Sequence, residues 1–250
     1  LLSSGTVVNL VGTASTTLNN VTIGAGTLNA NTSEVGIYTH LYLDGSGASY
    51  VGGSNGDKIF QSLYVLNNAS VSSGGGYFNV GYQTISQGTL DLSRTTRVWY
   101  EGTNGSVAIN SGTYRAPSTT VFNGTSWTYN GAATYHHGHG IVYFLGGNQS
   151  IVGPMRFYNF YKSNSSGTNQ TLTLPASTTV IVENYIYLYG NNSTALLLLR
   201  SSTAGTQAQL DVRGTRTLQY LDVKDNNNVN ATAMGAVNSV DSGNNTNWTF

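Results

Sequence analysis

The chain has 250 residues, and Gly 31, Ser 27, Thr 32 and Asn 28 make up 118 of them, against 10 basic and 10 acidic residues that cancel to a net charge of +0. That composition excludes a charged disordered tail, a collagen-like repeat, a helical bundle and a basic nucleic-acid-binding face. The absence of Cys excludes disulfides, thiol catalysis and cysteine–metal sites.

From the N-terminus, Thr6–Val11 reads T-V-V-N-L-V, the first of several short runs of β-branched and aromatic residues bounded by Gly, Ser and Asn. Further predicted strands follow at Thr89–Leu92, Thr171–Leu174, Thr179–Glu183 and Tyr185–Tyr189. Asn55-Gly56, Asn104-Gly105, Asn123-Gly124 and Asn130-Gly131 are suited to turns with positive φ. No window of a dozen residues carries a helical period, and the best helical candidate, Ala231–Val237, lacks a cap and contains Gly235. The longest apolar run, Ala195–Leu199, is far short of the roughly 20 residues of a membrane helix. No signal peptide is visible, and a start at Leu1-Leu2 without Met reads as a processed or excised segment.

An all-β chain of this kind is a sandwich, a barrel or a solenoid. A loose repeat favours the last. Gly26-Thr27-Leu28-Asn29 recurs as Gly88-Thr89-Leu90-Asp91, with a weaker echo at Gly112-Thr113-Tyr114. Upstream of the first two stand Val21-Thr22-Ile23 and Gln83-Thr84-Ile85. A sandwich has no need to repeat its corners, whereas each coil of a parallel solenoid turns at nearly the same place. The expected fold is therefore a right-handed parallel β-solenoid, with an antiparallel β-sandwich as the alternative. At roughly 20–25 residues per coil and ~4.8 Å per coil it would hold about ten to twelve coils over about 50 Å. It is expected to form a single domain over residues 1–250, divisible into blocks 1–133 and 134–250. Low charge fits, because stacked coils set like residues above one another, where like charges repel and Asn, Thr, Ser and aromatic ladders do not.

Residues 140–153 (G-I-V-Y-F-L-G-G-N-Q-S-I-V-G), then Arg156-Phe-Tyr-Asn159, then Thr171–Val180 (T-L-T-L-P-A-S-T-T-V) resemble a unit common in large bacterial secreted surface proteins. The tail, from Gln219–Asp225 through Ser239–Trp248, is similar to the segment closing such units, and Gly88–Ser93 is similar to their filler coils. The resemblance covers residues 83–250. It implies a right-handed β-solenoid on adhesin-like or fibre-forming exported chains, of which this chain would be one unit.

Candidates for chemistry are sparse. His136, His137 and His139 place three imidazoles within four residues, a possible zinc or copper set. On a strand, however, His136 and His137 point to opposite faces. Gly138-His139-Gly140 matches a tripeptide of pectin-cleaving β-helix hydrolases, but the chain has no Asp-Asp, Asn-Thr-Asp or Arg-x-Lys to accompany it. Asp222 and Asp225, with the oxygen-rich runs Asp225–Asn228 and Asp241–Asn245, are candidates for calcium, although neither run meets the calcium-loop pattern and Asx turns explain both equally well. No nucleophile elbow, phosphate loop or paired-histidine zinc motif is present.

Thirteen Asn-x-Ser/Thr sequons, at Asn20, Asn31, Asn68, Asn104, Asn123, Asn148, Asn164, Asn169, Asn191, Asn192, Asn230, Asn244 and Asn247, are about twice the number expected by chance and mark either glycosylation or turn chemistry. Tyr185, Tyr187 and Tyr189 share one strand face, a candidate contact surface if it turns outward and part of the core if it turns inward, with Ile186 and Leu188 on the opposite face as the better core candidates. The expected role is non-enzymatic: a homopolymeric subunit of an extracellular filament or cell-surface layer, assembling head to tail through exposed solenoid edges. The alternative is an adhesin or carbohydrate-binding stalk module using exposed Tyr and Trp, Trp127 among them. No cofactor and no nucleic-acid partner is expected; glycans are candidate partners.

Overall fold

The computed structural model describes residues 5–10, 15–102 and 105–250. Among these residues there is no helix, and every strand-to-strand ladder is parallel. The fold is a β-solenoid of about 10 turns. Parallel pairing throughout rules out the antiparallel sandwich. The chain divides into two compact units: residues 1–124 with 130–140, and residues 125–129 with 141–250.

In the first unit, seven strands form one face: Val7–Asn9, Gly26–Asn29, Ala48–Val51, Ser70–Ser72, Thr89–Asp91, Thr113–Arg115 and Thr134–His136. The Gly-Thr-Leu repeats stack here, Thr89 beside Thr113 and Leu90 beside Tyr114. Period-two alternation then sorts the side chains. Leu28, Tyr50, Val71, Leu90 and Tyr114 fill an inner column. Thr27, Ser49, Ser70, Thr89, Thr113 and Thr134 form an outer one, within which the Ser70 hydroxyl donates to Ser49 Oγ at 3.2 Å. Two further faces arise as the long strands Asp57–Leu66 and Tyr77–Ser86 each pass a corner without a break. His40–Asp44 shows the same logic, with Leu41 and Leu43 inside and His40, Tyr42 and Asp44 outside.

Corners differ from the turns expected. Gly56 has φ +113°, but Gly105, Gly124 and Gly131 do not take positive φ, and Asn104 lies outside the described residues. Tight hairpins need such Asn-Gly pairs; a solenoid corner bends the chain by one left-handed residue, here Asn31, Asn67, Asn68 or Gln87. Asn31 donates its N–H to Asn29 Oδ1 at 3.0 Å and its Nδ2–H to Leu10 O at 2.9 Å, tying one coil to the next. Gly112 combines φ +84° with a neighbour so close that a Cβ would sit 2.2 Å from Gly88 O.

The second unit has three faces. Ile141–Phe144 pairs with Asn159–Lys162, the latter with Tyr185–Leu188, and Tyr185–Tyr189 with Thr215–Gln219. Gln149–Val152, Gln170–Leu174, Leu197–Ser201 and Leu221–Lys224 stack as the second. Thr179–Val182, Ala208–Val212 and Asn226–Asn228 belong to the third. Its interior combines an aromatic cluster of Trp127, Phe144, Phe157 and Phe160 with an aliphatic column of Leu172, Leu199 and Val223. The void among Ile151, Phe160, Leu172, Leu199, Leu210 and their neighbours measures only about 10 Å³, so packing is close to native density. The runs 179–183 and 185–189 are one strand, Thr179–Tyr189, and the Ala231–Val237 stretch carries the short strand Met234–Gly235.

Candidate functional site

The outward face of the second unit carries a tyrosine column. Alternation buries Ile186 and Leu188 and turns Tyr185, Tyr187 and Tyr189 outward, half-exposed. Register extends the column across coils: Tyr143 stands beside Tyr161, and Tyr161 beside Tyr187. The Tyr161 and Tyr187 rings lie 4.3 Å apart with planes 2° from parallel, and Tyr187 and Tyr189 lie 5.4 Å apart at 11°. Tyr185 donates its hydroxyl to Thr217 Oγ1 at 3.1 Å. Partial burial, reinforced by the neighbouring Tyr161 phenol, raises the Tyr187 pKa. Stacking this close covers the ring faces, so the column presents edges and hydroxyls rather than open platforms. Trp127, expected to be exposed, lies instead fully in the core, 6.0 Å from the Phe144 ring. Its inward position follows from strand alternation in Ser126–Tyr129, where it pairs with the inward Ile151.

The histidines do not converge. His136 ends the strand Thr134–His136 on its outer side, and the His137 and His139 rings meet edge to face at 5.4 Å. His137 Nδ1 accepts the His139 backbone N–H at 3.1 Å, and His139 takes φ +55°, so this is a corner held by its own imidazole. Asp222 pairs with Arg200 at 2.8 Å. Asp225, with φ +57°, accepts from Asn244 Nδ2 at 2.7 Å and from the Gly205 N–H at 3.1 Å; these bonds hold its carboxyl below the usual range. Among the described residues no group of three or more His, Asp or Glu is placed to hold a metal ion.

The other carboxylates are likewise engaged within the fold. Glu183 meets Arg156 at 2.6 Å and Asp211 meets Arg213 at 2.9 Å. Asp44 accepts from Asn67 at 2.6 Å and Glu101 from Asn79 at 3.0 Å. Asp241 closes an Asx turn with the Gly243 N–H at 2.9 Å.

Sequon side chains divide by the work they do. Asn164 is a correction: it is 2% exposed, and its Nδ2 donates to Thr168 O, Ala195 O and Leu196 O, so no sugar fits there. Asn31, Asn191, Asn230, Asn244 and Asn247 spend their Nδ2 on hydrogen bonds inside the fold. Asn148 and Asn169 accept backbone N–H groups one coil on, and Asn192 accepts from Thr194. Asn20 and Asn68 are exposed and Asn123 is half-buried. The sequon of Asn104 lies outside the described residues.

Val7–Asn9 pairs only with Gly26–Asn29 among the described residues, and Val7 is 57% exposed. Among the described residues of the second unit, Val240–Asp241 pairs only with Leu221–Lys224, Val237 is 60% exposed, and Phe250 is exposed.

One surface feature has no counterpart in the motif reading. On the third face of the first unit, Asn20, Thr22, His40, Tyr42 and Tyr64 line a wide-mouthed depression of about 480 Å³. Thr22, Tyr42 and Tyr64 occupy one register column. The signal was present as polar and aromatic residues recurring at the coil period, but it is readable only once the period is known. Comparison with known proteins returns no match: no family model, no curated protein and no solved structure corresponds to this chain.

Proposed function

We propose that the chain is a non-enzymatic structural element of an extracellular filament or surface layer, growing by head-to-tail stacking of identical chains. The observation that carries this reading is that, among the described residues, Val7–Asn9 and Val240–Asp241 each pair with one strand only and carry exposed apolar side chains. Such an edge is a template for another strand, and a heterologous contact between unlike ends does not close on itself. The carboxylates support a non-enzymatic role, since Asp44, Glu101, Glu183, Asp211, Asp222, Asp225 and Asp241 are each held by a protein donor, whereas glycoside hydrolysis requires a carboxyl pair on either side of the scissile bond. The lack of Cys is compatible with life outside the cell.

The test is light scattering and negative-stain microscopy of the purified chain over a concentration series. Filaments are expected, with a ~4.8 Å reflection along the axis of aligned samples. Val7→Asp and Val237→Asp should each shorten or abolish them. A monodisperse monomer at high concentration overturns the proposal.

A further inference from the structure

The two outward tyrosine arrangements are built differently. Tyr161 and Tyr187 close face on face, but Tyr42 and Tyr64 stand 5.6 Å apart with their planes 49° from parallel. His40 is tilted at 52° to Tyr64, 6.3 Å away. Rings splayed in this way leave aromatic surface open, and here it forms the walls of the 480 Å³ depression. That size lies within the usual range of small-ligand sites.

The remaining wall groups are Asn20, Thr22 and His40. Asn20 Oδ1 accepts from the His40 N–H at 3.3 Å and from the Thr39 hydroxyl. This fixes the amide and leaves its Nδ2 without a hydrogen bond among the described residues. Thr22 contributes a hydroxyl. His40 contributes its imidazole ring to the wall beside Tyr64. No Asp, Glu, Lys or Arg lines the depression. In register just upstream on the same two coils, Tyr38 and Phe60 stack at 5.2 Å, both about half exposed. A mixed lining of open aromatic faces with polar donors and acceptors suits a pyranose, with apolar C–H faces and a rim of hydroxyls.

We propose that the depression lined by Asn20, Thr22, His40, Tyr42 and Tyr64 binds a neutral saccharide, a sugar ring lying against Tyr42 and Tyr64 with its hydroxyls on Asn20, Thr22 and His40. The site lies on a strand face, away from the coil edges invoked for assembly, and does not depend on the filament reading.

The experiment is a saturation-transfer and chemical-shift titration of the purified chain with neutral hexasaccharides (cello-, malto-, manno- and chito-hexaose) and one anionic probe, hexagalacturonate. Saturable binding of at least one neutral probe is expected, with shifts of the His40 imidazole signals in the wild-type chain. Tyr64→Ala should weaken that binding about tenfold, whereas Tyr187→Ala should leave it within about twofold. The His40 shifts are read in the unmodified protein, so they hold even if Tyr64→Ala folds poorly. Absence of saturable binding by every neutral probe overturns the proposal. So does equal weakening by the two substitutions, or a preference for hexagalacturonate.

Discussion

Asp57 in the first unit and Lys162 in the second are both sealed inside the coils without a counter-ion, and they are solved in opposite ways. Asp57, 1% exposed, accepts the Tyr50 hydroxyl at 2.9 Å and the Gly53 N–H at 3.2 Å. Lys162 donates to Gly146 O, to Gly147 O at 2.9 Å and to Gln149 Oε1 at 2.8 Å, which uses all three of its N–H groups. Desolvation dominates both: it lifts the Asp57 carboxyl to about 7, against the pull of its hydrogen bonds, and lowers the Lys162 ammonium to about 7. The lesson is that a solenoid interior, surrounded by backbone, can dress a lone charge of either sign with corner N–H or C=O groups, but dressing it does not replace water.

The two groups give stability opposite pH slopes. Between pH 3.8 and 7 the unfolded chain ionises Asp57 while the folded chain keeps it protonated, so stability is greatest at the acid end and falls as pH rises through that window. The fall is on the order of 4 kcal/mol, and Asp57→Asn should flatten it in urea titrations run from pH 4 to 7. For Lys162 the unfolded chain binds more protons between pH 7 and 10.5, so stability rises with pH there. Between pH 7 and 10 the rise should also reach about 4 kcal/mol, and Lys162→Met should remove it in the same assay. Truncating the uncharged interior ranks next. Leu199→Ala, in the aliphatic column of the second unit, should cost about 3 kcal/mol at every pH, a pH-independent offset that separates packing from charge. The outward side ranks last: Tyr161→Ala breaks the closest ring stack and should cost about 1 kcal/mol, measured as a small shift in the urea midpoint.

Much of the architecture was legible because the repeat that announced it does physical work. Gly26-Thr27-Leu28 and Gly88-Thr89-Leu90 lie on the same face because glycine clears the corner, leucine fills the interior and threonine ladders outside. Ile186 and Leu188 followed from alternation alone. Interior polar groups were not legible, because Asp57 and Lys162 stand at inward positions where pattern reading expects an apolar residue. Their partners, Tyr50, Gly53, Gly146 and Gln149, are brought in by corners rather than by spacing. Trp127 was misread for the complementary reason: an aromatic in a polar stretch looks like surface until the strand's facing is fixed by Ile151 beside it. The Asn-Gly pairs were expected to take positive φ, whereas left-handed residues such as Asn31, Asn67, Asn68 and Gln87 bend several of the corners. The open rings of Tyr42 and Tyr64 depend on a tilt that no sequence rule supplies.

The Thr and Ser column running from Thr27 to Thr134 has a consequence for error. Sliding a coil by one residue would drag hydroxyls inward and push Leu28, Tyr50 and Leu90 into water, a mistake that corrects itself. Sliding by a whole coil keeps hydroxyls outside and apolar groups inside, and disturbs only the fit of unlike inner neighbours such as Tyr50 and Val71 and bonds such as Tyr50 to Asp57. Misassembly in this molecule should therefore come in integer steps: a skipped turn, or a turn borrowed from a neighbouring chain.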